Sequence, residues 1–358
     1  MTTAYPPSSE TLGIHIPLVV IKIRNMKQII FGIVAMLNFI TCRGQEIPTK
    51  NEILSYYGFE ERSTNSDEKG IIYYTYSNDT LPKTKMILYL QGSDPSPQFS
   101  YKIENNETKK LCWLNGEFTE LTNEYIYVVV EKIGFEGVID ENNIPKPEIY
   151  QQNNSLDNRV FRANEVINKL CSVNNFDKVI VYGHSEGAPV AAKLGTINKN
   201  ITHLGFWAGN ALPDYYDFIL ESRIEFYKGE ISVEEAQQQI DQTISSFVNE
   251  VAKDTANVEG MGYTNKRWWS YSEPPINNLL KLDIPIFVQV ATNDKSAPIE
   301  STYLIPLEFA RLGKTNLTYK ICVGCDHGFN TKISDGSNQR NWKKIFTEFI
   351  KWSNENYH

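Results

Sequence analysis

Lys178-Val179-Ile180-Val181-Tyr182-Gly183-His184-Ser185-Glu186-Gly187-Ala188-Pro189-Val190-Ala191-Ala192-Lys193-Leu194 is the stretch that decides the fold. It opens as a short apolar strand, Lys178–Tyr182, and closes as an alanine-rich helix from Ala188 to Leu194. Between them lies Gly-x-Ser-x-Gly. At ordinary glycine usage that pattern arises by chance in about one chain in ten of this length. The flanking strand and helix make it specific, because a serine on a tight strand-to-helix turn is held with its hydroxyl exposed above a sheet. Side chains at positions 183 and 187 would meet the neighbouring backbone, which gives both glycines a steric reason. The N–H of Glu186 falls at the helix start, where the positive end of the dipole favours a developing oxyanion. The plainer alternative is an ordinary glycine-rich β–α turn.

A serine hydroxyl is a weak nucleophile at neutral pH and needs a base. Five histidines are available. His15 lies in the N-terminal segment, His184 inside the turn, His203 at a strand start and His358 at the end. His327 follows the strand Leu317–Val323, in Cys325-Asp326-His327-Gly328, and is the candidate base. An acid must orient that imidazole. Asp294 lies at the carboxyl end of the apolar run Ile284–Ala291, the end where a site would form. Asp283 lies at the wrong end, and Asp326 is adjacent to His327, so its side chain is expected to point away. The second oxyanion donor is expected from Gln91-Gly92-Ser93-Asp94 after the strand Met86–Leu90. The backbone N–H of Ser93 is the first choice and Asp94 the second.

Working outward, Ile71–Tyr76 and Tyr125–Val130 read as further strands. Asn158–Cys171, Tyr303–Leu312 and Trp342–Trp352 read as helices, and Thr202–Trp207 as a strand. Alternation of strand and helix predicts an α/β fold: a mostly parallel central sheet with helices on both faces. Residues 211–275 break the alternation with two helices, Asp214–Tyr227 and Val233–Val251. The second opens on a Ser232/Glu235 capping box. This segment is expected to be an inserted helical cap over the site, the core being residues 42–210 and 276–358. Its aromatics predict a preference for apolar or aromatic acyl groups. Trp268 and Trp269, beside Tyr271, are the candidate pocket residues, with plain packing as the alternative.

The order Ser185, Asp294, His327 on successive strand ends resembles the α/β-hydrolase family over residues 70–358. Gly-His-Ser-Glu-Gly, Gln-Gly-Ser-Asp-Pro-Ser, Asn-Asp-Lys-Ser-Ala-Pro and Asp-His-Gly-Phe resemble its secreted bacterial esterase and prolyl-oligopeptidase-like branches. The family commonly has His-Gly where this chain has Gln91-Gly92. The resemblance implies a serine esterase acting on a small ester, with no metal or cofactor. A peptidase of the same fold acting on short peptides is the runner-up, and a non-catalytic surface binding protein the third reading.

Net charge is −8 over 358 residues, which disfavours a nucleic-acid partner. Met26-Lys27-Gln28, then an apolar run from Ile29 to Thr41, reads as a signal peptide within residues 1–41, with Met26 the natural start; an N-terminal membrane anchor that also uses Ile14–Ile23 is the alternative. Export to the periplasm, cell surface or medium is expected. Cleavage near Gly44 competes with a lipid anchor on Cys42. Five cysteines are too few for a disulfide scaffold. Cys322 and Cys325 are placed for structure, with a local disulfide open to them on export. Cys112 and Cys171 are a second conceivable pair, and the oligomeric state has no signal.

Overall fold

The computed structural model describes residues 47–65, 70–77, 82–137, 139–144, 147–259 and 263–355. The expected signal segment, Met26, Cys42 and Gly44 lie outside them. In chain order the elements are α1 (Lys50–Tyr57), β1 (Phe59–Ser63), β2 (Ile72–Tyr76), β3 (Lys85–Leu90), β4 (Phe99–Glu104), β5 (Glu107–Cys112) and β6 (Tyr125–Val130). There follow α2 (Glu148–Asn153), α3 (Leu156–Val173), β7 (Lys178–His184), α4 (Gly187–Ile197), β8 (His203–Trp207), α5 (Asp214–Tyr227) and α6 (Val233–Ser246). The chain ends with α7 (Asn265–Ser270), α8 (Pro275–Leu279), β9 (Ile286–Ala291), α9 (Ile299–Thr302), α10 (Leu304–Arg311), β10 (Leu317–Cys322), β11 (Asn330–Lys332), β12 (Asn338–Arg340) and α11 (Trp342–Asn354).

Eight strands form one sheet in the order β1-β2-β6-β3-β7-β8-β9-β10. The ladders from β6 to β10 are parallel, and β1 and β2 pair antiparallel at one edge. Both faces are apolar, because each central strand sends alternate residues to opposite sides. Met86, Leu88, Leu90, Val179 and Val181 join one core beneath α3, α4 and α10. Ile87, Tyr89, Ile180 and Tyr182 join the other, beneath α1 and α11. The expected mostly parallel sheet with helices on both faces is what forms.

The sequence reading missed two features on this frame. The edge strand β1 carries Glu60, Glu61 and Arg62 on its exposed side, so it has no apolar run to announce it. The hairpin β4–β5 turns on Asn105 and Asn106, both at positive φ (52° and 61°). Asparagine tolerates that region, and such two-residue turns match the twist of paired strands.

Helices α5 to α8 occupy the chain between β8 and β9, where the cap is expected. The Ser232/Glu235 capping box forms with both bonds in place. The helix it starts gives way to a π-turn over Phe247–Val251 instead of running on as α-helix. Cys322 and Cys325 are disulfide-bonded. Cys112 and Cys171 are free thiols and pack against opposite faces of the sheet, which keeps them from pairing. No helix among the described residues is long and apolar enough to cross a membrane.

Candidate active site

Ser185 follows the last residue of β7 at φ 56°, a left-handed conformation that costs a non-glycine residue about 1–2 kcal/mol. Its surroundings enforce it. The Ser185 N–H donates to the Trp207 carbonyl at 3.0 Å, and the Ser185 carbonyl accepts from Ala188 N–H at 2.9 Å. A Cβ on residue 183 would lie 1.9 Å from the Gly187 carbonyl oxygen. One on residue 187 would lie 2.0 Å from that of Leu90. Only glycines let the strand, turn and helix approach this closely, and Ser185 is left at the carboxyl edge of the sheet, where open α/β sheets form their sites.

Asp294 and His327 follow β9 and β10, which pair in parallel register. His327 Nδ1 lies 2.8 Å from Asp294 Oδ2. The other Asp294 oxygen accepts from the N–H groups of Ser296 (2.8 Å) and Ala297 (2.9 Å), which fixes the carboxylate. A carboxylate acceptor draws the imidazole proton to Nδ1 and leaves the Nε2 lone pair available. Asp326 is turned away, as expected: its carboxylate takes the N–H groups of Gly328 and Asn330 and shapes the loop. His184 has a part the sequence reading missed. Its Nε2 lies 2.8 Å from the His327 carbonyl, so it carries the proton and donates it there. Burial, then the neighbouring His327, lowers its pKa to about 3, so it stays neutral.

The loop after β3 comes within van der Waals reach of Ser185, a Cβ on Gly92 falling 3.4 Å from the Ser185 Cβ. Its carbonyls are held from the far side. Arg159 donates to those of Gln91 and Gly92, Tyr150 to Ser93 and buried Lys132 to Asp94. In a trans peptide the N–H points opposite to the carbonyl it shares a plane with. Pinning the carbonyls of Gly92 and Ser93 therefore turns the N–H groups of Ser93 and Asp94 the other way. Glu186 N–H opens α4.

Two spaces meet at Ser185. An open cleft of about 570 Å³ is lined by Ser93, Asp94, Trp113, Ser185, His327 and Trp342. A smaller cavity of about 160 Å³ extends from Ser185 and Ser93 under the cap, against Asp214, Asp217, Phe218 and Trp268. The cap thus lines the space beside Ser185, but its lining is charged as well as aromatic. Trp268 borders the cavity. Trp269 does not; it is 44% exposed and stacks on Phe247. Tyr271 is buried in the core beside Arg267.

The Glu186 side chain was also missed. Its carboxylate is buried between two arginines, Arg159 of α3 at 2.7 Å and Arg267 of α7 at 2.6 Å. Arg267 reaches Asp214 at 2.8 Å as well, and lies over the rings of Tyr263, Trp268 and Tyr271. Burial alone would raise the Glu186 pKa, but the charges of Arg267, Arg159 and Lys132 outweigh it and hold the value at about 2. The signal was a carboxylate inside the turn Gly183–Gly187, and an arginine immediately before the aromatic pair Trp268-Trp269.

No family model and no curated protein matches this sequence. Solved structures do. A Pyrococcus horikoshii acylaminoacyl peptidase superposes with TM-score 0.53 at 12% identity, over 84% of this chain and 43% of that one. An acylaminoacyl peptidase in complex with Z-Gly-Gly-Phe-chloromethyl ketone gives TM-score 0.53 at 13% identity, over the same shares. A Bacteroides ovatus protein described as a dipeptidyl aminopeptidase IV gives 0.51 at 10% identity, over 84% of this chain and 36% of that one. The fold is that of the α/β-hydrolases. This chain spans less than half the length of those peptidases. Its strand-to-helix elbow at Gly183–Gly187, Asp–His pair and pinned loop occupy the carboxyl ends of the sheet on which the fold builds its sites.

Proposed function

We propose that this chain is a serine hydrolase that cleaves carboxylic esters through an acyl-enzyme on Ser185. The observation that carries the reading is the 2.8 Å contact between His327 and buried Asp294, with His327 and strained Ser185 on one cleft. His327 Nε2 takes the hydroxyl proton as Ser185 Oγ bonds to the ester carbon. The carbonyl oxygen takes up the negative charge and is met by the N–H groups of Glu186 and Ser93. The C–O bond to the alcohol breaks as His327 hands its proton to the leaving oxygen. Water then repeats the sequence: His327 takes its proton, hydroxide attacks the acyl carbon, and Ser185 leaves reprotonated. Asp294 holds the imidazole and stabilises its charged form. No step calls for a metal or cofactor.

A fluorophosphonate tests this directly. Peptide mass mapping should locate one phosphonyl adduct, on Ser185, with loss of p-nitrophenyl acetate turnover in proportion. An unmodified Ser185 in protein that is otherwise folded would sink the reading. A peptidase activity is the second reading, favoured by the charged cap cavity, where an ester-only enzyme needs no carboxylates.

We also propose export, on the charge-then-apolar pattern after Met26. Intact-mass analysis of protein from its native host should give a chain starting near Cys42 or Gln45. A diacyl mass on Cys42 would identify a lipid anchor, and a full-length cytosolic product refutes export.

A further inference from the structure

The cap cavity holds a carboxyl group that no cation among the described residues pairs with. Asp214, Asp217 and Glu221 fall at helical spacing on one face of α5, with Phe218 between them. Asp214 and Glu186 share the guanidinium of Arg267, and Glu186 has Arg159 as well. Asp217 forms no ion pair among the described residues. It is 3% exposed, one of its oxygens accepts from Asn210 Nδ2, and the other has no partner. The Asn210 side-chain oxygen Oδ1 is also buried and unpartnered, and Asn210 is itself 9% exposed. Both residues line the cavity that begins at Ser185. Buried polar groups left without partners are rare and costly, and here two acceptors sit together.

The groups that face Asp217 make the missing partner cationic. Asp214, Glu221 and Asp294 are all near it; the one guanidinium on the cavity, Arg267, is already spent on Glu186 and Asp214. Burial, followed by those three carboxylates, pushes the Asp217 pKa up to about 9. An ammonium arriving beside it reverses that balance and restores the charged form. A metal ion is a poorer occupant, since no group of three or more His, Cys, Asp or Glu among the described residues is arranged to hold one. The cavity is about 160 Å³, room for a group the size of a benzene ring.

Its position says which part of the substrate enters. In the proposed reaction His327 protonates the leaving group, which therefore lies in the open cleft that His327 lines. The acyl part is left to the cap cavity. We infer that the acyl groups this enzyme takes carry a protonated amine, held by Asp217 and Asn210 Oδ1, as in aminoacyl esters or unblocked peptides. This rests on the hydrolase reading above and names its substrate class.

Alanine methyl ester and methyl isobutyrate test it, because they differ only by an ammonium in place of a methyl group. Wild-type kcat/KM should favour the amine by on the order of tenfold or more, and Asp217→Asn should cut that ratio by about fivefold or more, which intrinsic ester reactivity cannot do. Equal rates on the two esters in the wild type overturn the inference while leaving the hydrolase intact, and so does a ratio unchanged by Asp217→Asn. Failure of wild-type Ser185 to react with a fluorophosphonate overturns both. Should Asp217→Asn not fold, inhibition of wild-type ester hydrolysis decides: benzylammonium should compete and benzyl alcohol, of the same shape, should be at least tenfold weaker. Equal inhibition by the two rejects an amine site.

Discussion

Ser185→Ala should lower kcat for ester hydrolysis by about 10³-fold or more, and His327→Ala by a similar factor. The two losses should not add in the double variant, because a nucleophile without its base and a base without its nucleophile fail at the same step. Asp294→Asn should also cost heavily, since it removes the acceptor 2.8 Å from His327 Nδ1 and leaves an amide able to donate there. Asp326→Asn should cost far less, because the Asp326 carboxylate braces Gly328 and Asn330 and leaves His327 alone. Steady-state kinetics on p-nitrophenyl acetate, with circular dichroism to confirm folding, ranks the four. Near-wild-type turnover by Ser185→Ala or His327→Ala would remove the triad, and the reverse order of the two aspartates would make Asp326 the orienting acid.

The backbone of the site was legible because backbone demands leave marks in one dimension. Gly183 and Gly187 are required by contacts near 2 Å with carbonyl groups, so a local pattern reports them. Asp294 and His327 could be placed by where their strands end. What the sequence hid is charge pairing across long separations. Arg159, Glu186 and Arg267 are spread over more than 100 positions and meet only because α3, the elbow and α7 pack at one corner. The same holds for His184 and the His327 carbonyl, 143 positions apart. The cap aromatics told only part of the lining for a related reason. Trp268 does border the cavity, but its neighbour Arg267 and the carboxylates of α5 set the character of the lining, and a count of rings does not see them. The hairpin at Asn105-Asn106 was readable. Phe99, Tyr101 and Ile103 alternate with polar residues before it, a strand signal that the apolar-run criterion passed over.

Glu186→Gln should destabilise the protein by about 3–5 kcal/mol at pH 7, a large share of the roughly 5–15 kcal/mol that holds a domain together. The substitution keeps the shape and the backbone N–H but removes the one charge that two buried guanidiniums share. Arg267 keeps Asp214 as a partner; Arg159 keeps only carbonyls. The cost is that of uncompensated burial, which exceeds the worth of an exposed pair severalfold. The sign with pH follows from the depressed pKa. Glu186 contributes its full stability above its unfolded value of about 4.3, and that contribution drains away as pH falls toward about 2. Urea midpoints of wild type and variant should therefore lie far apart at pH 7 and converge at pH 2 to 3. A gap below about 1 kcal/mol at pH 7 would mean that water or Asp214 already serves the arginines. Because Arg267 belongs to α7 and Arg159 also grips the carbonyls of Gln91 and Gly92, the same carboxylate couples α7 to the loop and the turn proposed to meet the oxyanion. Loss of kcat in Glu186→Gln should accordingly exceed that of a variant destabilised in the sheet core, such as Val128→Ala on β6, measured at a temperature where both are folded.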